Sequence, residues 1–235
     1  MFDKIVTVSV NPALDVTLWV QTMDFSEPNL TTRETVYAGG KSINISRVLS
    51  ALHTSSRLLG ICGEDHFPLF SSLLKKDRVD FSFLTVLGGV RENLTLIVPD
   101  KRVLKINRAG CPVPTHAMKE LRDRIQTETA DCKRVLLVFA GSLPPNLTAD
   151  AYKEFILSFR REGVFFALDT AFFNLNDIRE IAPFIIKPNL VEFQAMCGHD
   201  LKTEEDVVKS CKPLTPYVAH ILVSLGSEGL VYVGE

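Results

Sequence analysis

The chain has 235 residues, 46% of them hydrophobic, and a formal net charge of −2. That length and apolar content suit one large domain or two small ones with a substantial core. The near-neutral charge gives no electrostatic ground for nucleic acid or an anionic membrane surface as a partner.

The opening MFDKIVTVSV lacks the basic lead of a signal peptide, and 5–10 reads as a first strand. Residues 16–20 and 33–37 read as short polar strands with no helix between them. Next comes YAGGKSINISRVL (37–49), whose Gly40-Lys41-Ser42 matches the end of a P-loop. A P-loop needs another glycine five residues earlier, and Thr35 stands there, so that reading fails. Residues 42–52 read as a helix, with Ile45, Val48, Leu49 and Leu52 spaced as one buried face. After a strand at 57–61, residues 95–98 and 103–106 form two more polar strands, joined by the turn sequence Pro99-Asp100-Lys101-Arg102.

The remaining chain alternates. Helices are expected at 115–129, 149–161, 190–197 and 203–210, and strands at 135–139, 164–168, 184–186 and 220–223. Apolar strands alternating with helices imply a parallel sheet covered on both faces. The four polar strands suit a small β-layer inserted at about 12–37 and 88–107, serving as a flap over a cleft or as a dimer contact. No apolar run approaches the roughly 20 residues of a membrane helix. The five cysteines (Cys62, Cys111, Cys132, Cys197, Cys211) show no close pairing, which predicts reduced, mostly buried thiols in a cytoplasmic protein.

Small, polar and charged residues follow each core strand, at the edge where open α/β sheets bind ligands. Gly39-Gly40-Lys41 opens the 42–52 helix. It is either an anion site, with Lys41 beside free N–H groups and Asn44 one turn on, or a glycine turn with a solvated lysine. Arg91 and Asn93 begin the second insertion and Lys105 and Asn107 end it; Arg91 forks an anion or is ordinary surface. Asn189 and Glu192 have the spacing of a helix capping box, and Glu192 is equally suited to hold a magnesium ion through water. Neither 140–144 nor 224–229 is a nucleophile elbow. The histidines lack metal-ligand spacing, and no Gly-x-Gly-x-x-Gly follows the first strand.

Taken in order, VSVNPALD (8–15), AGGKSINISRVL (38–49), GGVRENLTL (88–96), KIN (105–107), AGSLPPNLTADAY (140–152), LDTA (168–171), IKPNLVEF (186–193) and ILVSLGSEGL (221–230) resemble the PfkB, or ribokinase-like, carbohydrate kinases. The nearest branch is that of 1-phosphofructokinase and tagatose-6-phosphate kinase. The resemblance implies a three-layer α/β/α sandwich in one domain, with a mostly parallel sheet and a β-sheet lid. It also implies ATP and Mg2+ as cofactors. Asp15, Gly39, Gly40, Lys41 and Asn44 would line the sugar site, and Arg91, Asn93 and Lys105 would lie near the phosphate of a phosphosugar. Lys187, Asn189, Glu192, Ser224, Gly226 and Gly229 would lie on the nucleotide side. The implied activity is phosphorylation of a ketohexose phosphate, fructose 1-phosphate first and tagatose 6-phosphate second. A homodimer through the lid is implied as well, with no nucleic acid or membrane partner.

Three departures stand out. Ser42 replaces a usual glycine, and Cys62-Gly63-Glu64-Asp65 is acidic for a site that binds anions. The family's catalytic Gly-Ala-Gly-Asp turn, whose aspartate is the base, is expected beyond Glu235, so the C-terminal part of the domain is expected to be missing. Losing one such backbone donor costs about 10²–10³ in rate. These 235 residues alone are therefore expected to be a poor kinase or a phosphosugar-binding fragment. The strands near the end are expected to leave apolar surface uncovered.

Overall fold

A computed structural model describes residues 1–98, 100 and 102–234. The expected turn at 99–102 thus falls partly outside the described residues. In chain order the strands and helices are β1 (Lys4–Ser9), β2 (Ala13–Val20), β3 (Thr31–Gly39), α1 (Lys41–Ala51), β4 (Arg57–Asp65), α2 (Phe67–Lys76), β5 (Phe81–Gly89), β6 (Arg91–Ile97) and β7 (Val103–Asn107). They continue with α3 (Thr115–Thr129), β8 (Val135–Ala140), α4 (Ala149–Leu157), β9 (Val164–Asp169), α5 (Leu175–Ile181), β10 (Ile185–Ile186), α6 (Leu190–Cys197), α7 (Glu204–Cys211), β11 (His220–Ser224) and β12 (Leu230–Gly234).

Eight strands form the main sheet in the order β12-β11-β10-β9-β8-β1-β4-β5. All its pairs are parallel except β11 with β12. Period-two alternation divides the core between the two faces. On β4, Leu59 and Ile61 pack with α3 and α4, while Leu58 and Cys62 pack with α1 and α2. This is the expected three-layer α/β/α arrangement with a mostly parallel sheet. The other four strands form a second sheet in the order β3-β2-β6-β7, in which β2 and β6 run parallel. Leu14, Val16 and Ala38 of that sheet share the α1–α2 core, which anchors its base to the main domain.

Three elements escaped the pattern reading. Helix α2 is entered through His66 in the left-handed region (φ 66) with a proline in its first turn, so no Ser, Thr, Asp or Asn cap announces it. Helix α5 is only seven residues long, too short for a period, although Asn174 and Asp177 form a capping box. Strand β5 follows α2 with no turn signal strong enough to separate the two. Helix α4 ends at Leu157, earlier than expected.

The orientation of α1 corrects the sequence reading. Its buried residues are Ser42, Ile43 and Ser46, whereas Val48 is 57% and Leu52 68% exposed. Small serines let the helix approach the sheet closely, and their hydroxyls are fully used. Ser42 Oγ lies 2.5 Å from the Val8 carbonyl oxygen and 2.8 Å from that of Ala140, which share its single hydroxyl hydrogen, and Ser46 Oγ lies 2.6 Å from Thr7 Oγ1. Those carbonyls lie at the ends of β1 and β8. Polar satisfaction, not apolar spacing, fixes which side of this helix faces inward.

Burial pushes the Cys62 and Cys211 thiols up to about 12, and all five cysteines are free. No helix among the described residues is long and apolar enough to cross a membrane. On β12, Val231 is buried while Leu230 and Tyr232 on the opposite face are half exposed.

Ser42→Ala removes the donor to two buried carbonyls and should destabilise the chain by about 1–3 kcal/mol. Val48→Ser should change stability by no more than ~0.5 kcal/mol. Urea midpoints of the 235-residue chain check both; a large loss at Val48 with none at Ser42 would restore the apolar-stripe reading.

Candidate active site

A hollow of about 380 Å³ opens between the carboxyl edge of the main sheet and the inner face of the small sheet. The small sheet contributes Asp15, Arg91 and Asn93; α1 contributes Lys41 and Asn44; α6 contributes Glu192. Lys41 and Arg91, 50 positions apart and on different layers, thus share one cavity. A larger groove of about 660 Å³ is walled mainly by the outer helices α3 and α4, and its charged residues Lys119, Arg122 and Glu154 belong to the helix surface.

Lys41 is the first residue of α1, a position where the helix dipole disfavours a cation. Two carboxylates offset this. Lys41 Nζ lies 2.7 Å from Asp169 Oδ1 and 2.8 Å from Glu192 Oε1. Burial alone would lower the Lys41 ammonium, but its bonds to Asp169 and Glu192 raise it above its ordinary value. Burial likewise opposes ionisation of Glu192, yet Lys41 and the Asn189 backbone N–H hold it below the ordinary value.

Glu192 fills the capping role that its spacing allowed, and its other oxygen meets Lys41. Oε2 accepts from the Asn189 backbone N–H (3.0 Å) while Asn189 Oδ1 accepts from the Glu192 N–H (2.9 Å), which completes the capping box. Oε1 remains for Lys41. Lys187 Nζ is 3.7 Å from the other oxygen of Asp169, so two cations and two carboxylates meet at this end.

At the opposite wall Asn93 Nδ2 donates to Asp15 Oδ1 at 2.8 Å. Gly39 lies beneath Asp15, and a side chain at 39 would collide with that carboxylate. Gly40 adopts φ 113, a conformation that favours glycine. Arg91 is half-buried and has no ion-pair partner among the described residues. Burial pulls its guanidinium below the ordinary value, against the opposing charge of Asp15. A half-buried cation without a counter-ion, facing a cavity, favours an anionic ligand.

Not every expected residue reaches the hollow. Lys105 is exposed on β7 and is absent from its walls. Ser224 bridges to Asn189 at the same sheet edge, while Gly226 and Gly229 lie on the turn beyond, surrounded by open space. Asn107, named beside Lys105, does line the hollow, and Asp169, Ser142 and Phe172 lie in or against it without having been singled out. Asp169 ends β9 and Ser142 follows β8, so the strand-end rule pointed to both segments without ranking their residues. Asn11 holds the Ser142 segment in place, donating to Leu143 O at 2.9 Å and to Ser142 Oγ at 3.3 Å.

A family profile described as pfkB family carbohydrate kinase matches residues 9–235. The chain belongs to that family. Among curated pfkB-type relatives, 1-phosphofructokinase of Vibrio cholerae is 28% identical over 236 residues, covering 100% of this chain and 74% of the relative. The Bacillus subtilis 1-phosphofructokinase is 29% identical over 234 residues, covering 98% and 75%. The fold of this pfkB kinase matches that of Escherichia coli phosphofructokinase-2 solved with fructose-6-phosphate, with a TM-score of 0.89 at 22% identity, covering 100% of this chain and 78% of that one. A tetrameric inhibited form of the same enzyme matches with a TM-score of 0.87 at 20% identity, covering 100% and 77%.

The Lys41–Glu192 contact has a pH signature. Glu192 is depressed from 4.5, so its stabilisation is complete above pH 4.5 and is lost as pH falls through the lower folded value. Lys41 is raised from 10.5, so its part is complete below pH 10.5 and is lost as pH rises through the higher folded value. A double-mutant cycle of Lys41→Gln with Glu192→Gln, read by urea midpoints, should show coupling that is constant across neutral pH and disappears at both extremes. Coupling unchanged at pH ~2 would contradict this assignment.

Proposed function

We infer that this pfkB family kinase is an ATP-dependent phosphosugar kinase that transfers the γ-phosphate to a hydroxyl of fructose 1-phosphate, giving fructose 1,6-bisphosphate. The observation that carries the reading is the convergence of Lys41 and Arg91 on one cavity whose other wall is Asp15 and Asn93. A carbohydrate needs the hydroxyl-binding groups, and a substrate already bearing phosphate needs the cation. The names of the curated relatives support the same substrate.

In this reading Arg91 binds the phosphate of the sugar, and Asp15, Asn93 and Asn44 meet its hydroxyls. Lys41 sits between the sugar side and the nucleotide side, which Lys187, Asn189 and Glu192 mark, with Ser224, Gly226 and Gly229 next along the sheet edge. No group of three or more metal-ligating side chains occurs among the described residues. Asp169 and Glu192 nevertheless suit a magnesium ion that arrives with the nucleotide and is held through water. Such an ion supplies neutralisation of phosphate charge. The chain's own residues bind, orient and neutralise. Proton abstraction is not assigned to any of them, because the 235 residues contain no Gly-Ala-Gly-Asp turn.

The small sheet acts as a lid over the sugar, and a second copy of the chain is its natural partner. All five residues of its edge strand β7 are exposed, as are Phe25, Leu30 and Tyr37.

An ADP-release assay with fructose 1-phosphate and tagatose 6-phosphate, run beside calorimetric binding, tests the proposal. Arg91→Ala should raise KM, or Kd where turnover is absent, roughly 10–100-fold. An Arg91→Ala protein that binds fructose 1-phosphate as tightly as wild type would overturn the phosphosugar reading. Tight binding without ADP would make the chain a phosphosugar-binding protein.

A further inference from the structure

Arg47 follows Asn44 by three positions on α1, which makes the two neighbours on the helix surface. Asn44 lines the hollow and Arg47 does not. The guanidinium is divided among three elements. Nη1 donates to Asn44 Oδ1 at 2.8 Å, Nη2 to the carbonyl of Ala38 on β3 at 2.5 Å, and Nε to Asp77 Oδ2 at 2.7 Å. Ala38 is fully buried where β3 enters the Gly39-Gly40 turn, and Asp77 is the residue that ends α2.

A guanidinium is planar and its donors keep fixed angles, so two anchors outside the helix decide where the third donor points. Ala38 and Asp77 set Arg47, and Arg47 then sets Asn44. Arginine has donors only, so the Asn44 atom facing it has to be the amide oxygen. Nδ2 is the end left for the hollow. An asparagine amide that nothing holds presents oxygen or nitrogen with little preference, because its terminal torsion is broad. Held as it is here, the same amide offers the cavity donors and no free acceptor.

We propose that Arg47 is a positioning residue for substrate binding: it locks the Asn44 amide so that Nδ2 donates to an oxygen of the ketohexose phosphate. This rests on the phosphosugar reading and adds what fixes the polarity of that contact. The bond to Ala38 also keeps the contact in step with the base of the small sheet.

Calorimetric titration of the whole protein with fructose 1-phosphate tests this in wild type, Arg47→Gln, Asn44→Ala, the double variant and Asn44→Asp. Arg47→Gln should bind about 3–30-fold more weakly in the wild-type background and lose almost nothing more once Asn44 is alanine. A purely structural role of Arg47 would weaken binding by the same factor in both backgrounds, and that result overturns the proposal. Asn44→Asp keeps an oxygen for Arg47 but offers the hollow no donor, so it should bind at least as weakly as Asn44→Ala. Wild-type affinity in Asn44→Asp or in Arg47→Gln overturns the proposal. If Arg47→Gln does not fold, Asn44→Asp against Asn44→Ala decides alone. Wild type that binds no ketohexose phosphate overturns the functional reading itself, whereas any of the other contrary results overturns only this inference.

Discussion

An ammonium group at the start of a helix is held in an unfavourable field unless negative charge is brought to it. Here the charge comes from two other elements: Asp169 from the end of β9 and Glu192 from the first turn of α6. The contact ties α1 on one part of the sheet to β9 and α6 on the next, at the place where the proposed sugar side of the cavity meets the proposed nucleotide side. Cavity shape, the order of the two proposed subsites and the poise of Glu192 all depend on that three-way contact. A buried ion cluster need not add net stability, because desolvation offsets much of the attraction. Its value lies in fixing geometry.

Much of this arrangement was legible from residue order. Alternation of apolar strands with helices gave the parallel sheet, and the polar strands separated themselves by composition. Lys41 could be named because glycine turns are where backbones meet ligands, Arg91 because it opens the second insertion, Glu192 by its capping spacing, and Asp15 only through the family resemblance. Side-chain partnership was not legible. Nothing local to YAGGKSINISRVL says that Lys41 will be neutralised by residues 128 and 151 positions away. Lys105 looked equivalent to Asn107 in sequence and shares its face of β7, yet it sits two positions farther along the strand, and only Asn107 lines the hollow.

Helix α1 shows why a clean apolar stripe can mislead. Ile45, Val48 and Leu52 have the right spacing for a core face, but spacing does not reveal which face must satisfy hydrogen bonds. The Ser42 hydroxyl reaches the carbonyls of Val8 and Ala140 at the ends of β1 and β8, a bond that a glycine cannot make. The residue that departs from the family pattern is therefore an integral part of this chain's packing.

The parallel pairing of β2 with β6 has a mechanical consequence. It joins Asp15 to Asn93 through seven matched positions, from Ala13 opposite Arg91 to Trp19 opposite Ile97. Any tilt of the small sheet about its base therefore swings the whole paddle, arginine included, as one stiff plate. The spacing among the groups on that plate stays constant while their distance from Lys41 changes, so substrate fit and closure are separate adjustments that can be altered one at a time.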